Sequence, residues 1–244
     1  MVQGGELFSQ EIISGQILLR VFNSHPGLLL KTSSSTTIFD PKSIDPARLP
    51  VPDTIIITHE HWDHLDVSLV TELQQRSGAL VLTTPFIVSL LRQIPPAYLK
   101  VLEPGDTFSY QGCSFTALAS LHPGYQPLAF LITTHEGIRL YHPSDSDPFP
   151  EMALLATHPG VDVLIYLGDS LIKAVQIANL VQPKTIVCRY IDGEALSEKT
   201  KALVKQLNQH EAYFCVSQVA SRVRGPQIAG NGFGTDTEIT ATDI

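Results

Sequence analysis

The sequence predicts a layered α/β domain, and three observations predict it. Of the 244 residues, 43% are hydrophobic and only 16% charged, so much of the chain must be interior. Short apolar runs recur between turn residues, as buried strands do. Stretches with helical spacing come between some of them, which is what covering a sheet with helices requires. A chain of this length can bury the core of one large domain. We expect that domain over residues 1–224, followed by a loop or flexible tail over residues 225–244, where Gly-Pro and Gly-Asn-Gly-Phe-Gly occur with little apolar periodicity.

The elements follow in order. Gln16 to Phe22, Gly27 to Leu30, Thr36 to Phe39 and Thr54 to Thr58 read as strands. Leu69, Val70 and Leu73 fall on one face of a helix between Asp66 and Gln75, with Asp66 placed either to cap it or to orient a neighbouring imidazole. Ala79 to Leu82 is a strand, and Pro85 suits the first turn of a helix to Gln93. Phe108 to Tyr110, Cys113 to Ala119, Leu128 to Thr134 and Ile138 to His142 are extended, separated by Gly112, His122-Pro123-Gly124 and Glu136-Gly137. The last third alternates: strand Val161 to Leu167, helix Lys173 to Val181, strand Thr185 to Tyr190, helix Glu194 to Gln209, strand Ala212 to Val216.

Charge and cysteine usage narrow the function. A formal charge of −8, from 24 acidic against 16 basic residues, argues against a dedicated nucleic-acid surface and leaves a small-molecule substrate as the expected partner. Cys113, Cys188 and Cys215 cannot all pair within the chain and form no Cys-x-x-Cys unit, which favours a reducing compartment. No run reaches the roughly twenty apolar residues of a membrane span, and residues 1–6 carry no secretory pattern, so a cytoplasmic location is expected. Oligomeric state is not legible.

The chemistry lies in Thr58-His59-Glu60-His61-Trp62-Asp63-His64-Leu65, directly after Thr54-Ile55-Ile56-Ile57. Side chains alternate on a strand, so these imidazoles and the carboxylate converge only if the segment is a loop. A loop at a strand exit can direct His59 and His61 to one ion and Asp63 with His64 to another, because both donor types suit zinc. Glu60 and Trp62 alternate with the donors and are expected to face packing or solvent, with Trp62 as an anchor.

His59-x-His61-x-Asp63-His64 resembles the signature of the metallo-β-lactamase superfamily. The resemblance covers roughly residues 17 to 190 and implies an αβ/βα four-layer sandwich with metals at one edge of two packed sheets. It implies that Asp40, after an apolar strand, supports the metal loop; that His122 in Leu121-His122-Pro123 is a further ligand; and that Asp145 in His142-Pro143-Ser144-Asp145-Ser146 bridges two ions, with Ser144 where the family has glycine. Asp169 in Gly168-Asp169-Ser170 competes for the bridging position, but its order in the chain suits a helix cap better. His142 is placed to support Asp145, His25 lies in a turn near the floor of the site, and His135, His158 and His210 have no assigned role.

Order and spacing are most similar to the small lactonase-like branch that includes L-ascorbate-6-phosphate lactonase. Gln182-Pro183-Lys184-Thr185-Ile186-Val187-Cys188-Arg189-Tyr190 follows that branch up to the strand, but Tyr190 stands where its final histidine ligand belongs. Tyr190 either lines the pocket or ligates as a phenolate, and Arg189 either contacts a substrate anion or pairs at the surface. The implied activity is a hydrolase acting on an ester, lactone or phosphoester, with one or two Zn2+ ions, or Mn2+ or Fe2+, generating a hydroxide nucleophile that Asp63 orients. The alternative is a non-catalytic or mononuclear metal-binding protein on the same scaffold.

Overall fold

The computed structural model describes residues 11–21, 26–168, 170–190, 212–216 and 237–241, with the backbone alone at 189–190 and in the last two segments. Two sheets of seven strands each face one another. The first contains β1 (Ile17–Val21), β2 (Leu28–Lys31), β3 (Thr36–Phe39), β4 (Thr54–Ile56), β5 (Leu80–Thr83) and β6 (Leu99–Val101). The second contains β7 (Thr107–Tyr110), β8 (Cys113–Ala119), β9 (Leu128–Thr133), β10 (Arg139–His142), β11 (Val163–Tyr166), β12 (Thr185–Tyr190) and β13 (Ala212–Val216). The seventh strand of the first sheet is β14 (Thr237–Ala241), antiparallel to β1.

Three packed clusters define four layers. Phe39, Ile56, Leu82, Phe115, Phe130, Leu140 and Ile165 belong to the cluster between the two sheets. Helix α1 (Val67–Ser77) lays Leu69, Val70 and Leu73 against Ile38, Ile55 and Val81 on the outer face of the first sheet. Helix α3 (Leu171–Val181) lays Ala174, Val175, Ile177, Ala178 and Val181 against Leu164 and Ile186 on the outer face of the second. Burial at roughly 25 cal/mol per Å2 of apolar surface is what holds such layers together. The αβ/βα sandwich implied by the motif is therefore the architecture of the molecule.

Local chemistry sets the boundaries. Asp66 caps α1 by accepting from the Leu69 N–H at 3.1 Å, and Gly78 ends it at φ +69°, a conformation open to glycine without side-chain clash. Ser170 caps α3 by accepting from the Lys173 N–H at 3.4 Å, so the cap expected at Asp169 falls one residue later; Asp169 itself lies outside the described residues.

The helix expected from Pro85 to Gln93 is shorter. Thr84 caps α2 (Pro85–Val88), and the chain then turns, with the Ser89 hydroxyl donating to the Phe86 carbonyl at 2.6 Å. Pro95 and Pro96 lie just beyond and disfavour helix in what precedes them.

Residues 225–244 are corrected in their last part. Thr237, Ile239 and Thr240 are β-branched and extend along β1, an edge whose backbone groups need a partner. The short strand Leu99–Val101 also escaped the sequence reading, since three residues carry too little alternation to announce it. The helix expected over Glu194–Gln209, with His25 and His210, lies outside the described residues.

Strand direction places the site. β3, β4 and β5 run parallel in one sheet, and β10, β11 and β12 run parallel in the other. The segments leaving the carboxyl ends of β3, β4, β8 and β10 carry Asp40, the 58–65 loop, His122 and Asp145. Open α/β sheets form their crevices at such carboxyl ends.

Candidate metal centre

β4 is buried throughout, and the segment that follows keeps Thr58 and His59 fully enclosed before the loop turns at His61, where the His64 and Leu65 N–H groups donate to the His61 carbonyl at 3.0 and 2.9 Å. That turn brings the imidazoles together. The His59 ring lies 4.6 Å from His61, 3.9 Å from His64 and 4.9 Å from His122, centroid to centroid. Nε2 of His122 is 3.1 Å from Nδ1 of His61, and Nε2 of His64 is 3.1 Å from Oδ2 of Asp145. Two overlapping triads result, His59–His61–His122 and His59–His64–Asp145, each with its donor atoms within 4.8 Å of one another.

Thr58 orients the shared imidazole. Its hydroxyl has one proton, and the carboxylate of Asp40 receives it at 2.8 Å. The same oxygen must therefore accept from Ser144 Oγ at 2.9 Å and from Nδ1–H of His59 at 3.0 Å. This fixes the His59 tautomer and leaves Nε2 as a bare lone pair, buried and without a hydrogen-bond partner. Asp40 Oδ2 also accepts from Nδ1 of His64 at 2.8 Å, which presents Nε2 of that ring to the centre. Imidazoles held at Nδ1 so that Nε2 can ligate are the arrangement a divalent ion requires.

Charge follows position. Burial, reinforced by His64, lowers His59 to about 4 and keeps it neutral. Burial lowers His122 as well. Burial also opposes a charge on His64, but the Asp40 carboxylate and the hydrogen bond to Asp145 outweigh it and raise His64 to about 10. Burial alone would raise Asp145, yet the hydrogen bond from His64 and its charge hold that carboxyl well below the usual range. Without an ion, the Nε2 proton of His64 thus occupies the place between that nitrogen and Asp145 where a cation fits, and burial of His59 Nε2 without a partner points to the same occupant.

Each residue singled out in the sequence has a defined place. His59, His61, His64, His122 and Asp145 converge. Asp63 stands at the rim, its Oδ2 3.8 Å from Nε2 of His64 and its side chain 34% exposed. Asp40 acts through Thr58 and His64. His142 is buried, accepts from the Ser144 N–H at Nδ1 at 3.0 Å, and is lowered by burial to about 4. Arg189 and Tyr190 end β12, and their side chains lie outside the described part of the structure.

Trp62 is not an anchor: it is 73% exposed, because the turn that gathers its neighbours inward directs it outward. Three contributors were missed. Thr58 links Asp40, His59 and Ser144; Ser144 adopts φ +56° and supplies the hydroxyl that completes this link; and Glu60 accepts from the Tyr125 N–H at 2.9 Å. A threonine directly before the first histidine was the available signal for the first of these.

Residues 21–183, two thirds of the chain, match the family model of the beta-lactamase superfamily domain. Among curated relatives, a UPF0173 metal-dependent hydrolase of Myxococcus xanthus is 27% identical over 153 residues, covering 55% of this chain and 54% of that protein. Another, of Anaeromyxobacter, is 28% identical over 197 residues, covering 67% of this chain and 70% of that one. The chain thus spans about half the length of the first relative. Among solved structures, Igni18, a metallo hydrolase of Ignicoccus hospitalis, superposes with a TM-score of 0.69 at 18% identity, covering 94% of this chain and 100% of its own.

Proposed function

The chain belongs to the metallo-β-lactamase superfamily, and from that premise we propose that it is a metal-dependent hydrolase of a small-molecule ester, lactone or phosphoester. The observation that carries the reading is the pair of donor triads sharing His59. The metal-dependent hydrolase description of the curated relatives supports it.

His59, His61 and His122 would hold one ion, and His64 and Asp145 with Asp63 a second. Bound there, a divalent ion such as zinc supplies Lewis acidity and lowers the pKa of a coordinated water. The protein's own contribution is positional. Neutral imidazoles at His59 and His122 present lone pairs, ionised Asp145 holds Oδ2 3.9 Å from Nε2 of each, and Asp63 at the rim is placed to accept a proton from water and return it to a leaving group.

A lactone is within that class on the order and spacing of the motifs and on the likeness of residues 182–189 to the lactonase-like branch, from which Tyr190 departs. A cytoplasmic, reducing setting agrees with Cys113 and Cys188, which are buried thiols rather than disulfides. Among the described residues no helix is long and apolar enough to cross a membrane.

A second reading, a mononuclear centre, is favoured by the triads themselves, since the second triad borrows His59 from the first. Metal content of the purified protein and turnover of a panel of lactones, esters and phosphodiesters after zinc or manganese loading test both. One equivalent with turnover supports the mononuclear enzyme, two support the binuclear one, and no bound metal after loading overturns both.

A further inference from the structure

Resting on the metal-centre reading above, we infer that Glu60 is a positioning residue that sets metal affinity by holding the His122 segment in place. Glu60 sits between two donors, His59 and His61, yet its side chain reaches across to another loop, where Oε1 accepts from the Tyr125 N–H at 2.9 Å. The approach is close. At Gly124, φ +145°, an added Cβ would meet Glu60 Oε1 at 3.1 Å and Oε2 at 3.3 Å, so the loop backbone lies directly against the carboxylate. Tyr125 is fixed a second way, its ring stacked on Phe86 at 4.2 Å with an interplanar angle of 18°.

The other end of the segment is tied differently. The Leu121 N–H donates to Ser146 Oγ at 2.8 Å, and the Asp147 N–H donates to the Leu121 carbonyl at 2.8 Å. His122 is therefore bracketed. On its amino-terminal side the chain is bound to the residues after Asp145, and on its carboxyl-terminal side to the residue between His59 and His61. Each brace runs from one donor-bearing segment to another; on the carboxyl-terminal side Glu60 shares the link with the Leu128 N–H, which donates to the Thr58 carbonyl at 3.0 Å, and Glu60 supplies the part nearer His122. His122 is partly exposed and follows no helix, so these braces rather than core packing decide where its Nε2 stands. Supports of this kind set ligand geometry, and their loss typically costs about 10- to 100-fold in metal affinity.

Zinc affinity of the full chain, measured by competition with a chromophoric chelator, tests this. Glu60→Ala is expected to weaken zinc binding about 10- to 100-fold with the metal-free melting temperature little changed. Glu60→Gln, whose amide oxygen can still accept from Tyr125, should retain most of the affinity. In a His122→Ala background, adding Glu60→Ala should weaken binding no further.

Glu60→Asp withdraws the acceptor by one methylene while keeping the charge, and serves if the alanine variant does not fold; it too should bind zinc more weakly. Wild-type affinity in Glu60→Ala or Glu60→Asp, or an undiminished further loss in the His122→Ala background, overturns the inference. A wild-type chain that binds no zinc instead overturns the metal-centre reading, and this inference with it.

Discussion

Oδ2 of Asp40 lies 2.8 Å from Nδ1 of His64, with both side chains buried, and the same carboxylate accepts from the Thr58 N–H and hydroxyl, each at 2.8 Å. Three donors thus share one enclosed anion. Asp40→Ala leaves all three unsatisfied and removes the countercharge of His64. Unfolding in urea should show a loss of about 3 kcal/mol or more in the metal-free protein. A change under about 1 kcal/mol would mean that water replaces the carboxylate.

The titration of the metal-free protein has two opposed limbs. His59 and His142 have an ordinary value of 6.5 and fold at about 4. The unfolded chain therefore binds more protons between those values, and stability falls as pH drops from about 6.5 towards 4. His64 rises from 6.5 to about 10, so its contribution is full below 6.5 and is lost as pH climbs through 10. Urea midpoints at pH 5, 7 and 9 check both limbs. A His142→Gln variant should show a shallower acid limb, and an unchanged one would remove His142 from the account.

Zinc should raise the melting temperature, because an ion that binds the folded chain stabilises it by about 2.7 kcal/mol when present at about 100 times its Kd. His61→Ala should lower that increment and abolish turnover. His61 belongs to a single triad and its ring is partly exposed, so the metal-free variant should melt near the wild type. Retained turnover would remove His61 from the site.

Ser144 combines a left-handed backbone, φ +56°, with a hydroxyl that donates to Thr58 Oγ1 at 2.9 Å. Ser144→Ala keeps the strain and loses the bond; Ser144→Gly loses both. The glycine variant should therefore be the more stable of the two by about 1 kcal/mol in calorimetry. The reverse order would show that the strain is negligible.

What could be read in the sequence was what is local. His59, His61, Asp63 and His64 follow a strand that is apolar on both faces, so their spacing and their place at a strand exit are both written within a few residues. Asp40, His122 and Asp145 were legible through resemblance, each after its own strand. Thr58, Ser144 and Glu60 were not, because each acts through a partner distant in the chain: Ser144 reaches Thr58 across 86 positions and Glu60 reaches Tyr125 across 65. Strand periodicity has the same limit. It marks Cys113–Ala119 clearly, but Leu99–Val101 is too short to alternate, and Thr237–Ala241 is a strand by virtue of the open edge of β1.

The donors are also separated in time. His61 and His122 are 61 residues apart, and His64 and Asp145 are 81 apart. A growing chain that ends before Leu121 carries the first cluster of imidazoles and none of its later partners. Either triad is complete only where the loops of the second sheet stand against those of the first, so packing of the two sheets shares the entropy of closing these long loops. Tight metal uptake is thus an event of completed assembly rather than of synthesis, and a released fragment of the first sheet would compete weakly with the finished protein for the same ion.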